Sequence, residues 1–229
     1  MSQAREVAVI GAGMSGLSAA TLLQQAGLKV TLFDKSRGSG GRMSSKRTTA
    51  GTFDMGTQYF TARDPAFAAA VAKWVAAGWV AAWQPRLFRY DEQGLQPSDD
   101  RQQRFVGSPR MTALSRGLLG SLPLHSSTRI EQLQRRDQNW LLTDNDGVSH
   151  GPFDHVIVAV PPAQAVPLLG SASHLADPAR TSDMEPGWAV ALSFPHATQV
   201  NRGEMPLKTG SSNQPQAGLA SILMMTRSR

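Results

Sequence analysis

Three closely spaced glycines near the N-terminus constrain the fold of this chain more than any other feature. The motif G-A-G-M-S-G covers residues 11–16, between an apolar run at 6–10 and a helical pattern at 14–26. Strand, G-x-G-x-x-G and helix in this order predict the start of a Rossmann unit. In such a unit Gly11 makes the tight turn, Gly13 lets a pyrophosphate approach, and Gly16 allows close helix–strand packing. An ordinary glycine turn is the alternative interpretation.

An acidic residue follows the next predicted strand, residues 29–33. Asp34 lies 18 residues after Gly16, where a carboxylate accepts hydrogen bonds from the ribose hydroxyls of an adenosine. The same carboxylate repels a 2′-phosphate, so the nucleotide in this site is not expected to be NADP. The alternative is a solvated surface aspartate.

A second glycine-rich stretch, residues 36–45, is predicted to be a loop. It contains Gly40-Gly41-Arg42, in which glycines let main-chain amides crowd an anion and the arginine adds a forked charge for phosphate oxygens. An ordinary NAD dehydrogenase does not require such a loop. A flexible linker with a chance arginine is the alternative.

Composition narrows the class of protein. The length of 229 residues allows one large domain or two small ones, and a hydrophobic content of 41% suits a soluble globular protein with a core. No apolar run is long enough for a membrane helix and no signal peptide is visible, so a cytoplasmic enzyme is expected. The absence of cysteine excludes disulfides, thiolate metal sites and cysteinyl flavin. The five histidines show no ligand spacing, so no metal is expected.

The net charge of +6 is compatible with a polyanionic partner. The densest basic stretch, residues 35–47, is glycine-rich and lacks interleaved aromatic residues, which argues against nucleic acid and leaves a phosphate-bearing cofactor.

Longer blocks of the sequence resemble a known family. The segments D-K-S-R-G-S-G-G-R-M-S-S at 34–45 and D-M-G-T-Q-Y-F-T-A-R at 54–63 resemble the bacterial renalases, within the flavin amine oxidase-like superfamily. H-V-I-V-A-V-P-P at 155–162 and W-A-V-A-L at 188–192 are similar to them too, and the resemblance runs from about residue 5 to 195. It implies a p-hydroxybenzoate-hydroxylase-like α/β fold, with a Rossmann-type FAD-binding domain and an inserted, incomplete α+β substrate domain.

The resemblance also implies site residues. FAD is expected without a covalent bond, with Arg42 on its phosphates, Arg129 and Ile130 beside the adenine, and Gln58 and Tyr59 as catalytic candidates near the isoalloxazine ring. The candidate cofactor-binding residues are Gly11, Gly13, Met14, Ser15, Gly16, Asp34, Lys35, Gly41, Arg42, Met43, Gly56, Thr57, Gln58, Tyr59, Arg129, Ile130 and Val160.

The reaction implied is oxidation of isomeric dihydronicotinamide dinucleotides, with hydride passing to FAD and then to oxygen. The expected partners are therefore a small dinucleotide substrate and oxygen, with no nucleic acid or membrane, and a monomer is favoured. Three alternatives stay open: an amine oxidase-like flavoenzyme, a non-catalytic FAD-binding fragment and, more distantly, an NAD dehydrogenase.

The expected organisation is an FAD-binding domain at 1–63 and 125–170, a partial substrate domain at 64–124 and 171–195, and an irregular tail at 196–229. Family members carry a later segment that completes the FAD site, so a frame shift near 195–205 or a gene fragment is hypothesised. The predicted helices cover 64–77 and 111–119, and the predicted strands cover 80–83, 87–90, 104–106, 129–133, 140–143, 155–160 and 188–194.

Overall fold

The computed structural model describes residues 5–49, 51–85, 87–92, 94–170, 172–184, 188–193 and 220–225. The chain forms two compact units, each built from two separate stretches of sequence. Unit 1 comprises residues 1–42 and 115–186, and unit 2 comprises residues 43–114 and 187–229. The first two breaks therefore fall at 42 and 114, earlier than the expected 63 and 124.

The elements follow in chain order: β1 (Glu6–Ile10), α1 (Met14–Gln25), β2 (Lys29–Phe33), β3 (Ser45–Thr48), β4 (Gly51–Asp54), α2 (Pro65–Ala76), β5 (Val80–Trp83), β6 (Phe88–Asp91), β7 (Gly94–Pro97), β8 (Arg104–Gly107), α3 (Thr112–Leu119), β9 (Leu124–His125), β10 (Ile130–Arg136), β11 (Asn139–Asp144), β12 (Ser149–Phe153), β13 (His155–Val158), α4 (Pro162–Leu168), α5 (Ser173–Arg180), β14 (Trp188–Ser193) and β15 (Ala220–Met225). No helix in the described ranges is both long enough and apolar enough to cross a bilayer.

A parallel sheet forms the centre of unit 1. Its strand order is β13-β1-β2-β9, with parallel pairing throughout. Residues 7–10 of β1 are buried, as expected for a central strand covered on both faces. Helix α1 joins β1 to β2 and ends before Gly27, whose φ of +84° suits the glycine that follows a helix. The predicted Rossmann-type α/β fold is confirmed.

The last strand of this sheet is shorter than expected. The pattern predicts a strand over 155–160, whereas β13 ends at Val158. The Ala159 amide still donates to the Ile10 carbonyl, but the chain then turns away beside Gly11. Pro161, without an N–H group, cannot extend the ladder, and α4 begins at Pro162.

A three-stranded antiparallel sheet, β10-β11-β12, completes unit 1. It contributes to an apolar cluster that the parallel sheet and α4 share. The buried members of this cluster are Ala8, Ile10, Phe33, Ile130, Leu142, Phe153 and Leu168.

Unit 2 consists of small antiparallel pairs: β3–β4, β5–β8, β6–β7 and β14–β15. Helix α2 begins as predicted, because the Asp64 carboxylate accepts the Phe67 amide and Pro65 occupies the first turn. The rings of Phe105, Phe60, Phe67 and Trp74 form a continuous row, with successive centroids 5.8–6.1 Å apart.

The second glycine loop and the tail also differ from expectation. The loop 36–45 contains a 3-10 turn, Gly41–Met43, and its last residue begins β3. The irregular tail is corrected at residues 220–225, which form β15, paired antiparallel with β14. Four of the six β15 residues, I-L-M-M, are large and apolar. They form a strand because they pair with β14, and the average composition of the tail does not reveal such a partner. The rest of the expected tail, and Phe194, lie outside the described residues.

Candidate functional site

The glycine motif lies at the carboxyl end of β1, where the backbone is crowded. Gly11 has a φ of +104°, and a Cβ there would come within 2.6 Å of the Ala159 carbonyl oxygen. A Cβ on Gly16 would come within 1.9 Å of the Gly11 carbonyl oxygen. Only glycine fits either position, because one turns the chain and the other lets α1 press against the turn.

Gly13 differs from its two neighbours in the motif because the space beside it is open. A Cβ at this position would meet no atom within 4 Å, and its φ of −80° suits any residue. No packing constraint in unit 1 therefore requires glycine here, whereas a ligand approaching the backbone would. The open space lies at the N-terminus of α1, where no described side chain caps the helix. Met14 is half-buried and Ser15 is exposed, so their amides remain available to an anion.

The Asp34 carboxylate holds the edge of this space in place. One oxygen accepts the Ala12 amide at 2.7 Å, and the other accepts the Ser36 amide at 2.8 Å. The residue is only 8% exposed, so it is not the solvated surface aspartate of the alternative interpretation. A carboxylate offers about four acceptor positions, which leaves capacity for ribose hydroxyls beside the two amides.

The second glycine loop packs directly against the first. The Gly40 amide donates to the Ala12 carbonyl at 2.8 Å, and a Cβ on Gly41 would approach the Gly13 Cα to 3.3 Å. This contact does not support the flexible-linker interpretation. Arg42 and Lys35 are both exposed on the same stretch. With Arg37, which is also exposed, unit 1 carries three exposed cations on the segment that borders the open space.

Residues 125–130 form a further wall next to Asp34. The Asp34 amide donates to the His125 carbonyl, and the Thr128 amide donates to the Asp34 carbonyl, both at 2.9 Å. Arg129 is exposed, with its amide bound to the Asn145 side chain at 2.9 Å, and Ile130 is buried. On the opposite side of the glycine turn, a Cβ added at Gly11 would meet the Val160 side chain at 3.1 Å.

Behind this wall the Phe33 ring contacts two histidine rings. His125 stacks on it with centroids 4.9 Å apart, and His150 meets it edge-on at 5.0 Å. His150 Nε2 lies 2.8 Å from a buried Asp144 carboxylate oxygen. The hydrogen bond from His150, aided by the amides of Val148 and Asp146, outweighs burial and holds the pKa of Asp144 below its usual value. Sequence patterns do not reveal this pair, because neither residue lies in a motif.

The candidates for the flavin end of the cofactor lie in unit 2. Gly56, Thr57 and Gln58 are half-buried in the segment that follows β4, and Met43 is buried before β3. Tyr59 is 41% exposed, and its ring lies 5.8 Å from that of Trp83. The structure therefore distributes the predicted site residues over both units, with the phosphate and adenosine candidates together in unit 1.

Two residues that sequence reasoning missed fix the segment around Tyr59. Asp54, at the end of β4, accepts the Ser45 hydroxyl and, at 3.3 Å, the amide of Met111, which directly precedes α3. Arg104, at the start of β8, is buried and lies over the Tyr59 ring with its Cζ 5.2 Å from the centroid. A buried arginine far along the chain has no local signal, since its partner is chosen by tertiary packing.

Together the parallel sheet and the glycine loop define a Rossmann-type dinucleotide-binding fold. Residues 9–74 match the family described as an NAD(P)-binding Rossmann-like domain. Among curated proteins, the 4,4'-diapophytoene desaturase (4,4'-diaponeurosporene-forming) of Staphylococcus aureus strain Newman is 47% identical over 51 residues. That match covers 22% of this chain and 10% of the desaturase, so the chain spans only a small part of that relative.

Two solved structures share the fold more extensively. A candidate protoporphyrinogen oxidase from Exiguobacterium sp. 255-15 is 14% identical, with a TM-score of 0.67 covering 86% of this chain and 68% of the other. A putrescine oxidase variant from a redesign of cofactor binding is 14% identical, with a TM-score of 0.57 covering 72% and 59%. At this identity the likeness establishes the fold, an α/β architecture shared with oxidases.

Proposed function

We propose that this chain is the FAD-binding part of a flavin-dependent oxidoreductase of the renalase type. One observation carries the proposal: the space at Gly13 is open although the surrounding loop is tightly packed and held by Asp34. A backbone that leaves room only at the middle glycine fits a pyrophosphate at the end of a helix. The similar proteins are named as oxidases and a desaturase, and both kinds of enzyme remove hydrogen from a substrate.

The residues of unit 1 fit FAD in three places. The open N-terminus of α1 and the exposed Arg42 would hold the pyrophosphate, with Lys35 adding positive charge nearby. The free acceptor positions of Asp34 would bind the ribose hydroxyls. Arg129 and Ile130 would line the adenine, because hydrogen bonds keep their segment next to Asp34. An aspartate at this point disfavours a 2′-phosphate.

When bound, FAD supplies the acceptor for a hydride from a dihydronicotinamide ring and passes the two electrons to oxygen, giving hydrogen peroxide. The chain has to align two flat rings for this transfer rather than provide a strong base. We assign that alignment to Gln58 and Tyr59, with Gly56 and Thr57 contributing main-chain groups. An isomeric dihydronicotinamide dinucleotide is the proposed substrate.

An amine oxidase-like reaction is the second candidate, and the structural likeness to putrescine oxidase favours it. Both reactions begin with transfer of hydrogen to the same cofactor, so the substrate alone distinguishes them.

The test begins with the purified chain saturated with FAD and freed of excess cofactor. Bound flavin is mixed without oxygen with an isomeric dihydronicotinamide dinucleotide, with ordinary NADH or with putrescine, and loss of flavin absorbance is followed. The proposal expects fast bleaching with the isomeric dinucleotide and hydrogen peroxide after air is admitted. Bleaching by putrescine alone would select the amine oxidase candidate. Bound flavin that no substrate reduces would mean a non-catalytic FAD-binding protein.

A matched pair of variants tests whether the flavin occupies the glycine loop. Gly13→Ala fills the open space, whereas Gly38→Ala adds the same methyl group to an exposed loop position where a Cβ meets nothing within 4 Å. Only the first variant is expected to lose FAD. Equal FAD binding by both would place the cofactor elsewhere.

A further inference from the structure

Arg104 is a buried charge that the proposed chemistry does not itself explain. Its side chain is 6% exposed, and one terminal nitrogen lies 2.6 Å from a carboxylate oxygen of Asp100. The other terminal nitrogen donates to the Gln102 carbonyl at 3.0 Å. Burial by itself lowers the pKa of Arg104, but the hydrogen bond that it donates to Asp100, together with its interaction with Tyr59, outweighs burial, so the pKa is raised and the charge is kept.

The third nitrogen of this guanidinium has no hydrogen bond. Arg104 Nε is buried and has no partner among the described residues. The paired Asp100 side chain is 40% exposed, whereas an apolar side chain of similar size often fills a buried place such as that of Arg104 at no greater cost. A role for the arginine is therefore to be sought in its contacts beyond this ion pair. Its remaining contact is with the face of the Tyr59 ring, at 5.2 Å from the centroid.

Strand pairing explains how this contact arises. Phe60 and Phe105 exchange two backbone hydrogen bonds, of 2.9 and 2.8 Å, so the segment holding Tyr59 lies against β8. The rings of Phe60 and Phe105 stack with each other in the row that leads to α2. Their neighbours, Tyr59 and Arg104, contact each other instead, as expected when successive side chains of paired segments alternate between faces.

Trp83 completes this second group. It pairs with Arg104 across β5 and β8, and its ring lies 5.8 Å from that of Tyr59 at an interplanar angle of 44°. Tyr59 is thus supported by a cation and by an indole, yet 41% of it stays exposed. An exposed ring held from two sides is suited to present a fixed surface to another flat ring.

The loop that precedes Arg104 is itself held by hydrogen bonds. The Gln102 amide donates to Asp100 at 2.9 Å, and Arg63 donates from its terminal nitrogen to the Gln102 side chain at 2.8 Å. Asp100 is consequently held for its ion pair by its own loop and by the segment that follows Tyr59. These bonds hold the two residues, Asp100 and Gln102, to which the guanidinium donates.

We propose that Arg104 is a positioning residue, which holds the Tyr59 ring in the orientation needed for hydride transfer. The effect of Arg104 on hydride transfer rests on the proposed function, in which Tyr59 helps to align the two rings. The contact is a cation–π interaction strengthened by burial, and loss of it frees the tyrosine ring to turn. Small misplacements of aligned groups slow such reactions strongly.

The experiment measures the surroundings of the Tyr59 ring directly, through a fluorine nuclear magnetic resonance signal. The chain contains two tyrosines, Tyr59 and Tyr90, so fluorotyrosine labelling in a Tyr90→Phe background leaves one fluorine signal, from Tyr59. Arg104→Met removes the charge and keeps a long side chain, and Arg101→Met is the control at an exposed arginine three residues earlier. Arg104→Met is expected to shift the signal and the control to leave it in place. An unshifted signal in folded Arg104→Met overturns the proposal.

The second readout is the limiting rate of flavin reduction per bound flavin. Arg104→Met is expected to lower it about ten- to a hundredfold, with little change in the substrate concentration at half-saturation. A shifted signal with an unchanged limiting rate overturns the positioning role. If Arg104→Met does not fold, both measurements are made on Arg104→Lys, which keeps a charge for Asp100 but loses the flat guanidinium. It too is expected to shift the signal and slow reduction.

The fluorine signal needs neither FAD nor substrate. A shifted signal together with a wild-type flavin that no dinucleotide reduces would refute the proposed function and, with it, the role of Arg104 in hydride transfer. An unshifted signal with normal reduction would refute only the role of Arg104.

Discussion

Adding one methyl group at Gly13 separates cofactor binding from folding. The Gly13→Ala side chain meets no protein atom within 4 Å, and φ at this position is −80°. Stability is therefore expected to stay the same or rise by about 0.4–1 kcal/mol, because alanine restricts the unfolded chain. The methyl group would occupy the proposed place of the pyrophosphate. Loss of one charged hydrogen bond, about 1.5–3 kcal/mol, corresponds to roughly a 10- to 150-fold weaker FAD affinity.

Two measurements on each variant test this expectation: the free energy of unfolding in urea and the dissociation constant for FAD. Gly16→Ala serves as the opposite case, because its Cβ would lie 1.9 Å from the Gly11 carbonyl oxygen and should destabilise the fold by more than about 1–3 kcal/mol. Unchanged FAD affinity in a stable Gly13→Ala protein would refute the reasoning, since the open space would then have no ligand in it.

Three further predictions concern charged residues of unit 1. Asp34→Ala is expected to weaken FAD binding roughly 5- to 150-fold. It should also lower the free energy of unfolding, because the Ala12 and Ser36 amides lose their acceptor. Titration with FAD and urea unfolding measure the two effects, and an unchanged FAD affinity would remove Asp34 from the site. Arg42→Ala should cost more FAD affinity than Arg37→Ala, since Arg42 directly follows the glycine packed on Gly13; equal losses in parallel titrations would indicate a diffuse basic patch. Asp144 has a lowered pKa in the folded state, so the stability that its carboxylate contributes is complete above its ordinary pKa of 3.8 and is lost as the pH falls through the lowered value. The difference in stability between wild type and Asp144→Asn should therefore shrink as the pH falls below 3.8. A constant difference in acid unfolding curves would contradict the assignment.

Sequence predicted the first Rossmann elements almost to the residue. The bounds of β1 and β2 are as expected, because apolar runs next to glycines and the glycine that follows α1 are local signals. The β3–β4 hairpin was not predicted, since its first strand reads Ser-Lys-Arg-Thr and is largely exposed. Helices α4 and α5 were also missed, because each contains an internal proline, Pro167 and Pro178.

The candidate site was predictable in the same uneven way. The motif glycines and Asp34 could be chosen because each carries a constraint that neighbouring residues reveal. Asp54 and Arg104 could not, because their roles depend on partners at Met111 and Tyr59, 57 and 45 residues away. Buried polar contacts over such separations are decided by packing rather than by local pattern.

The central position of β1 has a consequence for synthesis on the ribosome. One neighbour of β1 is β2, which follows within a few tens of residues, but the other is β13, and Glu6 and Asp154 at their ends are 148 residues apart. At about 5–20 residues per second, some 7–30 s separate the emergence of the two strands. During that interval one edge of β1 lacks its partner strand, so the sheet that supports the nucleotide site is completed only after the N-terminal half of the chain has been synthesised.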